Sequence, residues 1–576
     1  PADVGGFSHG MTVGTNALLE GTGARAALVA TEGFGDVLEL RRQTRAHLYR
    51  LDAHHPPPLV PAERVVEARE RCTPDGVEAP LDTAELADVV ARVAALRPEA
   101  VAVGLLFSFR HPDHEQRIAE ALRAALPGVH VSASSDVLPE IREYERISTT
   151  VVDAYLTPVL ARYLERLAAR TREADLPAPT IMLSSGGVLP LADAARHAAW
   201  TVMSGPAAGA LGAAYLADVS GEPEALAFDM GGTSCDVAHV ADGRAAWTAE
   251  NTIAGHPVHL PMLDVATVSA GGGSIAWRDA GGALRVGPRS AGARPGPASY
   301  GRGGTRPTVT DANVVLGRLS PDEPLGDAVR LDVAAARRAV GALAADLGLG
   351  LEECAEGIVA VAVQEMVRAL RLVSVERGID PRGMALVALG GAGPLHACAV
   401  ADELGMTRVL APRAAGVLAA LGLVVAGERR DLVQSVLRPV EDASDLPALL
   451  APLALRAERE LPGAAHAAAA DCRYLGQTHA LTVPWDPERP AAELAEAFHR
   501  AHEQRYGDCD RGRAVQAVSL RLTAERPGTR PDLEAGEPGA RVTGPRAIPM
   551  EGATCWVAPG WSARTDPRGT ILLERA

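Results

Sequence analysis

The chain contains no lysine: all 56 basic residues among its 576 are arginine. A phosphate-loop lysine, a Schiff-base lysine holding pyridoxal phosphate and a lysine general base are therefore excluded, because each role needs an amine that can give up its proton. Any phosphate must be held by backbone amides, by arginine or through a metal ion. Cysteine is scarce and unpatterned. The seven (Cys72, Cys235, Cys354, Cys398, Cys472, Cys509 and Cys555) are odd in number and scattered, without C-x-x-C spacing. That argues against a zinc site or a disulfide framework and for free thiols in a reducing cytoplasm. No apolar run approaches the roughly 18 residues of a membrane-spanning helix, and 47% apolar with 22% charged residues is the composition of a soluble globular protein. Positive charge is also short. A formal charge of -16 argues against general binding to nucleic acid or to an anionic membrane.

What is present reads as two or three packed domains, since the length exceeds what one hydrophobic core usually supports. From Arg25 to Val131 short apolar runs ("RAALVAT", "AVAVGLLF") alternate with amphipathic stretches ("TAELADVVARVAAL", "HEQRIAEALRAAL"), which predicts an α/β layer. "CTPDGVE" carries a tight-turn signature. A helical stretch follows from about Glu143 to Ala174, with Pro158 expected to kink it or divide it. A second α/β region runs from "TIMLSSGG" near Thr180 to about Val425. It contains a Gly/Pro/Arg-rich loop over 281–304 and a stripe of Ile358, Val361, Met366, Leu370 and Val373 that reads as one buried helical face. Beyond Arg430 come a helical stretch, the strand-like "CRYLGQTHALTVPW" and a Gly/Pro-punctuated tail. The expected division is an N-terminal α/β domain over 1–175, a core domain over 176–430, and a C-terminal α+β domain over 431–576 with a small β appendage.

Two glycine bends carry the chemistry. In "ALAFDMGGTSCDVAHV", 225–240, two strands flank Gly231 and Gly232, and Asp229 and Asp236 rim the bend. Amides of such a turn can converge on an anion, Thr233 adds a hydroxyl, and either aspartate can hold a hydrated divalent cation, which suits a nucleotide phosphate with magnesium. On the motif alone a plain hairpin with turn-capping aspartates stands equally open. In "MALVALGGAGPLHACAVADEL", 384–404, Gly390, Gly391 and Gly393 lie between a strand and a helix opened by Pro394, where a flat ligand can approach the backbone and the helix N-terminus favours negative charge. The spacing is not that of a dinucleotide fingerprint. Together the bends suit one nucleotide clamped between subdomains. Three further groups stand out. His9, Thr12 and Asn16 in "SHGMTVGTN" form a polar cluster with either a catalytic or substrate-orienting role or, through Thr15 or Asn16, the capping of the next helix. His111 and His114 in "HPDHEQ" have near-metal spacing but read as a helix start on a wet surface. Asp311 and Asn313 in "TVTDAN" suit either a substrate or cation role or a helix cap.

"SHGMTVGTNALLEGTGARAALVATEGFGDVLELRRQ", "DMGGTSCDV", "SAGGGSIAW", "RPGPASYGRGGTRPTVTDANVVLGRL", "LGGAGPLHA", "YLGQTHALTV" and "VAPGWSARTDPRGTILL", in this order, make the chain resemble the hydantoinase A and 5-oxoprolinase family along nearly its whole length. The resemblance implies an α/β fold of the actin and sugar-kinase (ribonuclease H-like) ATPase type. It also implies ATP-dependent opening of a cyclic amide such as a hydantoin or 5-oxoproline, with ATP and Mg2+ or Mn2+ as cofactors. By the same resemblance the turn from Asp229 to Asp236 is the second phosphate loop and Gly390 to Pro394 the adenosine loop. A second, larger hydantoinase B-type subunit is the implied partner, in an oligomer. The expected catalytic residues are Asp229, Asp236 and His9, with Asp229 and Asp236 on the metal and Arg294 or Arg302 neutralising developing charge. Relatives that carboxylate ketones supply one alternative function, and a non-catalytic nucleotide-binding scaffold subunit another. The chain departs from the family pattern in four places. The usual D-x-G-G-T first phosphate loop would stand some tens of residues before "SHG" and nothing of that kind precedes Pro1, so the natural N-terminus is expected to be missing. Where relatives commonly read "DIHTIGAGGGS" this chain has "DVATVSAGGGS", with Ala266 at the histidine and Ser269 at a glycine, and Ser299 stands where cysteine is frequent.

Overall fold

A computed structural model describes residues 4–322, 329–441, 444–533 and 539–576. Its contacts group the chain into two compact units, each built from separated segments. One comprises Pro1–Gly205, Trp247–Met262 and Ala426–Gly528, and the other Pro206–Ala246, Leu263–Val425 and Thr529–Ala576. This grouping cuts across the three consecutive blocks expected from the sequence, and strand pairing is the physical reason. Strand Glu428–Pro439 pairs antiparallel with Val515–Arg526, and its first residue, Glu428, pairs with Val188 from far upstream.

In the first unit, Val65–Ala68, Ala26–Thr31, Ala100–Gly104 and His130–Ala133 form a four-stranded sheet whose neighbours are all parallel. Every residue of Ala26–Thr31 is buried, as a parallel strand covered on both faces requires. Val29, Val101 and Val103 face the helices Thr83–Ala95 and Asp113–Ala125, while Leu28, Ala30 and Ala102 face Ile147 and Val151 of the helix Glu143–Glu173. That last helix runs unbroken through Pro158, so the proline does not divide it; the buried run from Tyr144 to Thr157 holds it against the sheet. His114 departs from the wet surface expected of it. It is buried on the inner face of Asp113–Ala125, with Nδ1 2.8 Å from Glu70 Oε2. The same unit contains a seven-stranded sheet in the order Ser8–His9, Thr180–Met182, Val188–Pro190, Glu428–Pro439, Val515–Arg526, Ala465–Tyr474, Leu481–Trp485. Leu446–Glu460 and Ala491–Tyr506 pack on its C-terminal strands.

The second unit is organised on a nine-stranded sheet. Its central strands Ala225–Met230, Ala385–Leu389 and Arg408–Ala411 are parallel, Cys235–Ala241 folds back antiparallel beside the first, and Ile571–Arg575 and Trp561–Thr565 extend the other side. The tail is thus part of this sheet and not an appendage to the 431–528 segment. Helix Leu351–Val373 lies in the core through Ile358, Met366, Leu370 and Val373 as expected, whereas Val361 is only half-buried and the stripe runs instead through Ala362 and Val363. Among the described residues no helix is long and apolar enough to cross a membrane.

Candidate functional site

Both glycine bends lie at the carboxyl ends of adjacent parallel strands, where open α/β sheets leave a crevice for ligands. Asp229 pairs in register with Leu389 across the parallel ladder, and with Asp236 across the antiparallel one. Residues directly opposite on an antiparallel pair project to the same face, so the two carboxylates share one side of the hairpin. Their charge is poorly relieved there. Burial, followed by the neighbouring Asp236, pushes the Asp229 carboxyl up to about 6. Burial also raises Asp236, against the opposing effect of Thr267, whose hydroxyl donates to Asp236 Oδ1 at 2.6 Å. Among the described residues no arginine or histidine forms an ion pair with either aspartate. Two half-buried, like-charged carboxylates that face each other without a counter-charge, with the Thr267 hydroxyl beside Asp236, make a hard-oxygen donor set that fits Mg2+ or Mn2+.

The turn between the aspartates closes through Gly231 N–H to Ser234 O at 3.1 Å, which leaves Gly232 and Thr233 exposed. Among the described residues the amides of Gly232 and Thr233 donate to no protein acceptor, so they are available to an anion. A second glycine run, Gly271–Gly273, lies directly on this turn. Gly272 N–H donates to Gly231 O at 3.0 Å and Gly273 N–H to Gly232 O at 2.7 Å, and a Cβ on Gly271 would stand 2.5 Å from Thr233 N.

The second bend closes on the first strand. Gly390 has φ +74°, and a Cβ there would collide with Met230 O and stand 2.5 Å from Asp229 Oδ1; only glycine fits. Ala392 N–H donates to Met230 O at 3.0 Å, and Gly390 N–H to Ala415 O at 2.8 Å. Gly391 is exposed, and Pro394 occupies the first turn of the helix Gly393–Leu404. On the other side of Asp229, a Cβ on Gly209 of the helix Ser204–Val219 would stand 3.1 Å from Oδ2. Asp229, Asp236, Gly231, Gly232, Thr233, Gly390, Gly391, Gly393 and Pro394 are thus gathered within the second unit.

His9 belongs to the first unit, where its Nε2 lies 2.8 Å from Tyr163 Oη and the rings stack; burial lowers its basicity. Its neighbours act locally. Helix Val13–Glu20 has Thr12 at its N-cap position, ahead of the caps expected at Thr15 or Asn16, and Thr15 Oγ1 instead accepts from Met203 N–H at 3.1 Å. Asp311 completes a capping box with the N-cap Thr308: its carboxylate accepts from Ala298 N–H, Ser299 N–H, Thr308 N–H and Thr308 Oγ1, so it is committed to holding the helix start. Arg294 and Arg302 are both exposed. Ala266 opposes Val237 in the strand Val265–Val268, one residue from Thr267. Thr267, Gly209 and the Gly271–Gly273 contact escaped the sequence reading; the glycine run was visible, but nothing local shows what it touches. The first unit also has a cavity of about 100 Å³ lined by Leu183, Leu189, Trp200, Leu260 and Val433. There Arg429 is already paired with Asp431 at 2.8 Å.

Comparison with known proteins gives the family and the fold. The model of the hydantoinase/oxoprolinase family matches residues 146–431, and that of the hydantoinase/oxoprolinase N-terminal region matches residues 1–126. The chain is 36% identical to the caprolactamase subunit alpha of Pseudomonas jessenii, covering 98% of this chain and 89% of that one. It is 38% identical to 5-oxoprolinase 1 of Arabidopsis thaliana over 75% of its own length, but spans only 36% of that longer protein. Among solved structures, the ATP-dependent caprolactamase from Pseudomonas jessenii superposes with a TM-score of 0.87 at 33% identity, over 99% of this chain and 91% of that one. A nucleotide-free acetone carboxylase superposes with 0.78 at 25% identity, over 98% and 90%. The mixed α/β fold is the one these two proteins share, and the chain belongs to the hydantoinase/oxoprolinase family.

Proposed function

We propose that this chain is the nucleotide-binding subunit of an ATP-dependent hydrolase that opens a cyclic amide of the hydantoin or 5-oxoproline type. In this reading the sheet of the second unit is of the actin and sugar-kinase type. The single observation that carries it is the convergence of the Asp229–Asp236 pair, the free amides of Gly232 and Thr233, and the Gly390–Gly393 bend on one strand end. Resonance makes an amide carbonyl a poor electrophile, and phosphoryl transfer from ATP to the amide oxygen would supply the activation that water needs to attack. The protein's contribution is positioning and charge. Asp229 and Asp236 would hold Mg2+ or Mn2+, the Gly232 and Thr233 amides would receive phosphate oxygens, and Gly390–Gly393 would let a flat base lie against the backbone. The absence of lysine is met by this arrangement, because amides and a metal do the work a cationic amine does elsewhere. The higher identity and TM-score with caprolactamase (33%, 0.87) than with acetone carboxylase (25%, 0.78) favour amide opening over ketone carboxylation. A second subunit is part of the proposal, in line with the relative's designation as subunit alpha, as is a location in the cytoplasm.

The test is ADP release with magnesium and hydantoin, 5-oxoproline or caprolactam, set against ketones with and without bicarbonate, with and without a co-expressed hydantoinase B-type subunit. Turnover on a cyclic amide, independent of bicarbonate, is the expected result, and Asp229→Asn or Asp236→Asn should lower it about 100-fold or more. Bicarbonate-dependent turnover on ketones alone would replace this reading with a carboxylase. A parent protein that binds no Mg-ATP would leave a scaffold subunit.

A further inference from the structure

One short helix touches both halves of the proposed nucleotide site. Val309–Val315 carries in its first turn Thr310, whose N–H and Oγ1 each donate to Gly272 O at 2.8 Å. Gly272 in turn donates to Gly231 O, so Thr310 holds the glycine run that holds the phosphate-side turn. Asn313, three residues on, places Nδ2 3.4 Å from His396 Nε2 while donating to Val309 O at 2.9 Å. His396 lies in the first turn of Gly393–Leu404, immediately after the Gly390–Gly393 bend. Asn313 and His396 are 0% and 1% exposed. His396 Nδ1 and Asn313 Oδ1 nonetheless have no hydrogen-bond partner among the described residues. Leaving a buried polar atom unsatisfied costs about 1–3 kcal/mol, which an apolar side chain of similar size would avoid. Packing alone therefore does not account for this pair.

We propose that Val309–Val315 is the spacer that sets the distance between the two glycine bends, with Thr310, Asn313 and His396 as positioning residues for a ligand that must touch both, a nucleoside triphosphate. This rests on the nucleotide reading above. A ligand bridging two subsites gains affinity when their separation is set beforehand, whereas a fragment that touches one subsite is indifferent to it. The spacer therefore predicts a selective defect.

Calorimetric titration of Mg-ATP, of adenosine, and of tripolyphosphate with magnesium measures it. Thr310→Val keeps the volume and removes the hydroxyl. It should weaken Mg-ATP about tenfold and leave adenosine and tripolyphosphate within about twofold of the parent, with Thr310→Ser restoring ATP affinity. His396→Leu, which removes both ring nitrogens and so cuts the same tie at its other end, should reproduce the pattern and serves if Thr310→Val does not fold. Parallel weakening of all three ligands, or unchanged ATP affinity in both folded variants, would overturn the spacer while leaving the nucleotide site intact. A parent protein that binds none of the three overturns both.

Discussion

At the scale of single residues, burial decides which titratable groups are available for chemistry. His396 is wholly buried near Arg318, and burial first, with that arginine second, drives its basicity down to about 3. Its imidazole should stay neutral from about pH 5 to about pH 8, so its ring resonances in a pH-titrated NMR spectrum should not move; a titrating signal would contradict the buried assignment. Asp153 shows the opposite balance. Burial alone would raise it, yet His197, with Nδ1 3.5 Å from Oδ2, the nearby His130 and the Ala199 N–H together hold it below its ordinary value of 3.8. Ser132 Oγ donates to it as well, at 2.8 Å. A carboxyl depressed in the folded state stabilises the protein above its ordinary value, and that contribution is lost as pH falls through the folded-state value. Asp153→Asn should therefore destabilise the first unit by about 2–3 kcal/mol at neutral pH, with the gap to the parent closing in acid below about pH 4. Denaturant unfolding at both pH values checks this. Glu70, Cys72 and His114 gather as metal ligands do, but Leu81 N–H donates to His114 Nε2 at 3.3 Å, which puts the ring proton on Nδ1, toward Glu70. Burial, then the Glu70 charge, pushes the Cys72 thiol up to about 11. These are the marks of a closed hydrogen-bond network, and dialysis against a chelator should leave the unfolding temperature unchanged; a fall on metal removal would make the cluster a metal site.

At the scale of elements, the two bends work because their backbones approach closer than a side chain allows. Gly390→Ala would force a Cβ against Met230 O and Asp229 Oδ1 in a left-handed conformation. The conformation alone costs about 1–2 kcal/mol, and displacing the second bend should abolish Mg-ATP binding before it abolishes folding. Circular dichroism together with nucleotide titration separates the two effects; retained ATP affinity in a folded Gly390→Ala protein would show that the bend does not need this approach. These elements were legible in the sequence because each is local. An apolar run broken by Gly231 and Gly232 predicts two strands with a bend between them, and the strand before Gly390 with the helix after Pro394 predicts a turn between them. What was not legible is what rests on them. Thr267 meets Asp236 through a strand pairing 31 positions apart, and Gly209 approaches Asp229 from a helix with no turn signal of its own. His114 looked like a surface histidine because a two-residue spacing motif says nothing about which face of its helix meets Glu70 and Cys72.

At the scale of the whole molecule, the chain order of motifs follows the family pattern, but the packing does not follow chain order. The final strands show this most clearly. Ile571–Arg575 pairs with Arg408–Ala411, and Cys555, Val557, Trp561, Ile571 and Leu573 lie in the same core cluster as Leu386 and Val409. Gly552 reaches the proposed site itself: a Cβ on Gly391 would stand 3.2 Å from Gly552 O, and one on Gly416 3.1 Å. From sequence these residues formed a punctuated tail at the end of a C-terminal block, because a run of short strands does not announce which distant edge it completes. Ending the chain after Gly528 would strip six buried side chains from that core, those five and Ala563. At about 1.5–3 kcal/mol each, their loss is of the order of 10 kcal/mol, comparable with the roughly 5–15 kcal/mol that holds a whole domain together. It would also bare Arg408–Ala411 as an unpaired edge, which invites intermolecular pairing. The truncated protein should therefore accumulate as insoluble material with no Mg-ATP affinity, even though Asp229, Asp236 and both glycine bends remain in its sequence. Soluble expression, near-ultraviolet circular dichroism and nucleotide titration decide the matter: a soluble, ATP-binding product ending at Gly528 would mean that the sheet of the second unit is complete without its last strands.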